Sequence, residues 1–323
     1  MFYCQVSAGS LAIPTHLLQF SAAFFESGRS GEVCATIQIV VDEHETPVDI
    51  RPSPFAGTWY PGSAETLAQS IDQYLSAATI QPLEGDVLGI IAPHAGHRYS
   101  GQVAAYAFRH LENLTPETVA VISPMHVPSA DRVLTSAHEA YGTPLGIIPV
   151  DITLLKNFQE ELFKTHGIEL AQIRNDREHS LEIELPFLQR VLDRPFRLLP
   201  IMLRNQELQT AMAVGHTLGT ILEGEKAIIV ASSDLSHKFP EAAAERLDSE
   251  MLARIEAYDP KGVLSAEEEG AGFACGRGAI AAALWAARDL GADKAKIVQY
   301  ATSGNVTMDF DSVVGYGAAV IYH

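Results

Sequence analysis

Short, continuous apolar runs alternate along this chain with longer stretches in which apolar residues recur every three or four positions. Val87–Ala92, Val119–Ile122, Phe196–Leu203 and Lys226–Ala231 are runs of strand length, while Lys296–Thr302 and Val313–Tyr322 are strand-like runs near the end. Leu67, Ile71 and Leu75 lie on one helical face behind Ser63, a side chain suited to cap the helix. Helical spacing also marks 101–111, 152–163, 180–192, 208–222, 242–257 and 276–287, with a further acidic helix expected near Glu267. Alternation of this kind predicts an α/β fold with a central, mostly parallel or mixed sheet flanked by helices.

Three of the apolar runs end in short polar breaks that carry chemistry. The first delivers Pro93-His94, the second Pro124-Met125-His126, and the fourth Ser232-Ser233-Asp234. In an open α/β sheet, ligands gather outside the carboxyl ends of the strands, so these breaks predict a shared site. His179, His237 and Cys275 occupy comparable breaks. Each residue also has a structural role open to it: His94 as a cap for the next helix, His126 as a loop residue bonded to backbone, and Cys275 as a small buried hydrophobe. His179 and Glu182 have the spacing of a capping box, and Asp234 is placed to cap a helix after its strand. Arg277 and a helix start beside Cys275 would instead favour its thiolate. Imidazole and thiolate together suit iron, copper or zinc better than magnesium or calcium.

The 323 residues are 47% hydrophobic and 19% charged, an ordinary globular composition. A formal net charge of −18 with no basic cluster excludes a nucleic-acid partner. Three scattered cysteines make neither a disulfide framework nor a structural zinc site and point to a reducing cytoplasm. Leu11–Phe25 is apolar, but no Lys or Arg precedes Arg29, and the run is too short to cross a bilayer; neither secretion nor membrane insertion is expected. The acidic link 41–47 and the Pro- and Gly-dense stretch from Arg51 to Gly62 mark entry into a new unit. Residues 1–47 therefore read as an N-terminal extension outside the core, from an over-long reading frame whose true start lies near Val48.

Five motifs then occur in order: Pro54–Pro61 (PFAGTWYP), Ile91–Gly101 (IAPHAGHRYSG), Glu178–Glu182 (EHSLE), Ser232–His237 (SSDLSH) and Cys275-Gly276-Arg277. Together they resemble the Memo family, whose prokaryotic members include protein B of the AmmeMemoRadiSam system. The resemblance spans about residues 50–323 and implies a single Memo-like α/β domain over 48–323, with the fold of class III extradiol dioxygenases. It also implies a metal surrounded by His94, His126 and Cys275, with His179, Asp234 and His237 around them as candidates for proton transfer. Iron or copper is the implied ion, with zinc as a further option. A radical-SAM protein and an AMMECR-like protein are implied functional partners. The family commonly has Tyr where this chain has His97 and a small polar residue where it has Met125. His97 is thereby a candidate extra ligand or proton donor, and Met125 makes the pocket more apolar.

Two functions of different classes follow. One is a non-haem, dioxygenase-like oxidoreductase acting on a small molecule, in which Asp234 could replace Cys275 to restore a two-histidine, one-carboxylate triad. The other is a metal- or peptide-binding protein that uses the same pocket without turnover. Hydrolysis with Cys275 as nucleophile has no supporting spacing.

Overall fold

The computed structural model describes residues 49–323. The proposed extension 1–47, its apolar segment and the start near Val48 lie outside the described residues. The strands are β1 (Ile50–Arg51), β2 (Val87–Ala92), β3 (Thr118–Pro124), β4 (Val133–Ser136), β5 (Ala140–Thr143) and β6 (Gly146–Pro149), followed by β7 (Leu170–Ile173), β8 (Arg197–Leu203), β9 (Ala227–Ser232), β10 (His237–Phe239), β11 (Lys294–Thr302) and β12 (Val313–Tyr322). The helices are α1 (Ala64–Ala77), α2 (His97–Phe108), α3 (Ile152–His166), α4 (Leu185–Val191), α5 (Leu208–Leu222), α6 (Glu241–Glu256), α7 (Pro260–Ser265), α8 (Arg277–Asp289) and α9 (Gly304–Thr307).

Nine strands form one mixed sheet in the order β10-β12-β2-β9-β3-β8-β4-β7, with β11 also paired to β12. Its middle, β2-β9-β3-β8, is parallel throughout. Such strands are covered on both faces, which is why they are written as unbroken apolar runs; every residue of β3 is buried. The flanks turn antiparallel, β12 against β2 and β4 against β8. A small separate sheet, β1-β5-β6, stands apart from it.

The helices follow local rules. Ser63 Oγ accepts from Thr66 N at the start of α1, and Leu67, Ile71 and Leu75 are buried as the spacing predicts. Gly167, at φ 64°, ends α3 in the left-handed conformation that glycine adopts without strain. Two expectations differ. The helix predicted over 180–192 begins only at Leu185, because Pro186 fits the first turn of a helix and not its interior; residues 182–184 form a tighter turn ahead of it. The acidic helix expected near Glu267 is α7, which ends at Ser265, and Glu267 lies in the turn that follows. Strands β4 to β7 have no counterpart in the sequence reading. They are four residues each, and only a few alternations of side-chain direction fit in that length.

Candidate metal centre

Because β2, β9 and β3 run parallel and side by side, their carboxyl ends leave the sheet at one edge. Ala92 pairs with Ser232, so the breaks after them lie level. Ser233 N donates to Ala92 O, and Asp234 Oδ1 accepts from His94 N at 2.8 Å and Ala95 N at 3.2 Å. Asp234 thus closes the turn after β2, the neighbouring strand, instead of capping a helix of its own. The N-terminus of α2 has no side-chain cap, so His94 does not serve as one.

His179 arrives from the segment before α4, which a buried arginine fastens down. Arg51 on β1 binds Asp176 through two nitrogens at 2.8 and 2.7 Å, Glu182 at 2.6 Å and the Glu178 carbonyl at 2.9 Å. Glu182, read from sequence as half of a capping box, is instead held by Arg51 and the Tyr60 hydroxyl. Breaking one side of such a buried ion pair strands a charge out of water, so the segment is held in one place.

The ligand-capable atoms of His94, His126 and His179 all lie within 4.8 Å of one another. The His126 and His179 rings stack with centroids 4.9 Å apart, and His94 meets both edge-on at 5.4 and 5.3 Å. Trp59 covers His179 with ring centroids 4.2 Å apart. Cys275, in the turn ahead of α8, places Sγ 3.1 Å from His94 Nε2 and 3.3 Å from Asp234 N. His237 Nε2 stands 3.9 Å from Asp234 Oδ2 and is buried without a hydrogen-bond partner among the described residues. All six side chains singled out from sequence therefore converge on the same sheet edge. The tightest triad of donors is the three imidazoles, so His179, read as a proton-transfer candidate, stands as close to the centre as His126.

His97 does not join them. Its Nε2 donates to Ile183 O at 3.0 Å and its ring packs between Tyr60 and Phe187, on the helix side of the turn. Met125 is buried.

The electrostatics suit a cation. Burial, reinforced by His179 and His126, drives the His94 imidazole well below its ordinary range. Burial also takes His179 down to about 4, against the pull of Glu178. Both rings are thus neutral near pH 7, the form that offers a lone pair to a metal. Burial opposes the charge on Glu178, but hydrogen bonds led by that from His126 outweigh it and bring the carboxyl to about 2. Glu178 accepts from His126 Nδ1 at 2.9 Å and from the backbone N of His179 and of Ser180, both at 3.0 Å. A carboxylate behind a ligating histidine is the usual support of a metal site, and here Glu178 also leaves His126 Nε2 as its lone-pair nitrogen. Burial raises Asp234 to about 7 despite its two backbone donors. Cys275 departs from expectation: burial and the nearby Asp234 push its thiol up, and Arg277 is engaged by Glu267. Three imidazole nitrogens, one sulfur and a nearby buried carboxylate make a set that fits iron, copper or zinc.

Sequence reasoning passed over the roles of Glu178, Ser232 and Glu184, although each stands inside a quoted motif or beside one. Glu178 immediately precedes a candidate ligand, a signal too common to single it out.

Among the described residues, no helix is long and apolar enough to cross a membrane. Residues 51–320 match the family model described as Memo-like protein. The chain is 35% identical over 274 residues to a MEMO1 family protein of Nitrosopumilus maritimus, covering 83% of this chain and 98% of that one. It is 34% identical over 276 residues to one of Methanosarcina mazei, covering 85% and 100%, and 36% identical over 278 residues to one of Methanothermobacter thermautotrophicus, covering 83% and 98%. With its motifs, its sheet and its histidine cluster at the edge where the parallel strands end, the chain belongs to the Memo family.

Proposed function

We propose that this protein holds a transition-metal ion, iron or copper in preference to zinc, and uses it as a dioxygenase-like oxidoreductase on a small molecule. The supporting observation is the convergence of three imidazole nitrogens within 4.8 Å. His94, His126 and His179 are the nitrogen donors, and Cys275 beside His94 is the sulfur donor. When bound, the metal supplies redox chemistry and polarises an oxygen ligand. The chain's own contribution is to hold the donors, exclude water with Trp59 on one side, and move protons. Asp234 Oδ2 and His237 Nε2, 3.9 Å apart, are the pair placed to take up or release a proton next to the donors.

One feature favours a second reading, a metal- or peptide-binding protein without turnover. The Cys275 sulfur lies against His94, and a thiolate donor is itself readily oxidised, a liability in oxygen chemistry. Functional links to a radical-SAM protein and an AMMECR-like protein, and a cytoplasmic location, belong to either reading.

Anaerobic purification followed by metal analysis tests the site. His94→Ala, His179→Ala and Cys275→Ser should each lower metal occupancy, and Trp59 fluorescence should respond to titration of the metal-free protein. Unchanged occupancy in all three variants would overturn the donor set. Oxygen consumption by iron-loaded protein against a panel of catechols separates the two functions: uptake supports the oxidoreductase, and none with full iron loading supports the binding protein.

A further inference from the structure

His126 has an ionised carboxylate behind it; His94 has something different. Its Nδ1 lies 2.8 Å from Ser232 Oγ. That hydroxyl has two more close neighbours, Ser180 O at 2.7 Å and Glu184 Oε1 at 2.6 Å. All of these groups are buried, Ser232, Ser180 and Glu184 completely.

The protons around Ser232 can be counted. A serine hydroxyl carries one proton and accepts through two lone pairs. The Ser180 carbonyl has no proton to give, so at 2.7 Å it must receive the one that Ser232 has. The other two neighbours must then donate. His94 donates from Nδ1, which leaves its lone pair on Nε2, the nitrogen that faces Cys275 Sγ. Glu184 donates as well, which requires it to be a neutral carboxylic acid. An ionised Glu184 would either compete for the serine's one proton or set two lone pairs against each other at 2.6 Å.

Two further observations agree. Glu184 Oε2 is buried with no partner among the described residues, a cost that a charged carboxylate could not sustain and a neutral acid can. Among the described residues no cation pairs with Glu184, whereas its neighbour Glu182 has Arg51. Burial moves the Glu184 carboxyl well above its ordinary range, with Asp234 adding to the shift.

We infer that Glu184, as a neutral acid, and Ser232 are positioning residues that fix His94 in the Nδ1–H tautomer with Nε2 free for a metal. This rests on the metal site proposed above and deepens it. The two imidazoles are then unequally supported: His126 has an anion behind it, and His94 a chain of neutral groups. The site thereby keeps one buried negative charge behind its histidines instead of two.

The test begins with metal-free protein labelled with 15N in histidine. Correlation spectra of the ring nitrogens should show His94 protonated at Nδ1, and Ser232→Ala should abolish or mix that tautomer. The infrared difference between the wild type and Glu184→Gln should contain the carbonyl stretch of a protonated carboxylic acid. Glu184→Gln, whose amide also donates without charge, should keep both the tautomer and the affinity for iron(II) or zinc near wild type. Ser232→Ala should weaken that affinity on the order of ten- to a hundredfold, the usual effect of losing a ligand's support. Glu184→Gln and Ser232→Ala are nearly isosteric, and a melting curve for each confirms that the fold is intact. A proton on His94 Nε2, or no carboxylic-acid band at Glu184, overturns the inference whatever the metal does. Failure of the wild type to bind any metal overturns the metal centre instead, because the tautomer and the band are read without metal.

Discussion

His97 follows the turn that carries His94, yet its ring enters the core against Tyr60 and Phe187. Burial lowers its pKa from 6.5 to about 4, against a hydrogen bond to Ile183 O. The unfolded chain therefore takes up a proton between pH 6.5 and 4 that the folded chain refuses. Its contribution is fully present above pH 6.5 and is lost as pH falls toward 4, up to about 3 kcal/mol for this one group. Urea denaturation of metal-free protein at pH 7 and pH 5 should show a shallower pH dependence for His97→Phe than for the wild type; equal slopes would contradict a buried neutral His97. At the same scale, Glu178→Gln removes the negative charge behind His126 and replaces one of the two accepting oxygens, Oε1 facing His126 Nδ1 and the His179 and Ser180 N–H groups or Oε2 facing His126 N–H, with an NH2 that cannot accept. Metal titration should find its affinity ten- to a hundredfold lower, by the usual magnitude for such support, and an unchanged affinity would sink the assignment. At the residue scale, the donors were legible because each stands in a polar break after an apolar run or in a family motif. Their supports were not: Glu178 lies 52 positions from His126, and Glu184 lies 48 from Ser232, so only the folded chain brings them together.

The elements decide where the sulfur goes. Cys275 precedes α8 through Gly276, and a side chain there would place its Cβ 2.4 Å from Ser232 O and 2.8 Å from Ser233 Cβ. These contacts belong to the last residue of β9 and to the turn after it that carries Asp234, so neither can yield without moving the site. Gly276→Ala should cost about 1–3 kcal/mol, the range for overpacking a tight interior, and should lower metal occupancy together with thermal stability. Behind it, α8 packs on α5, where a Cβ at Gly215 would meet Ala282 O and Trp285 Cβ, both at 2.7 Å. A variant with wild-type melting temperature and metal occupancy at either glycine would show that the packing is looser than these distances. Helix α5, strand β12 and the strands of the parallel centre were readable because two-sided burial and helical period leave long signatures in the sequence. The start of α4 was readable only in part, since leucine spacing runs through 180–192 and only Pro186 marks where a helix can begin.

For the whole molecule, the boundary expected near residue 48 predicts a measurable outcome. The family match covers 51–320, and relatives align over 274 to 278 residues that make up 98 to 100% of their own lengths. Residues 47–323 separate as one compact unit by their own contacts, and all six candidate site residues lie within it. That unit contains the β1 arginine that fastens the His179 segment, the sheet that aligns His94, His126 and Asp234, and the helix behind Cys275. Because the family match begins at residue 51 and this unit at Pro47, a chain beginning at Pro47 should fold and bind metal as the full chain does. Its melting temperature should stay within about 2 °C of the full chain, less than roughly 1 kcal/mol for a domain of this size. A larger loss, or metal affinity reduced severalfold, would mean that the N-terminal segment supports the domain and that the boundary belongs elsewhere.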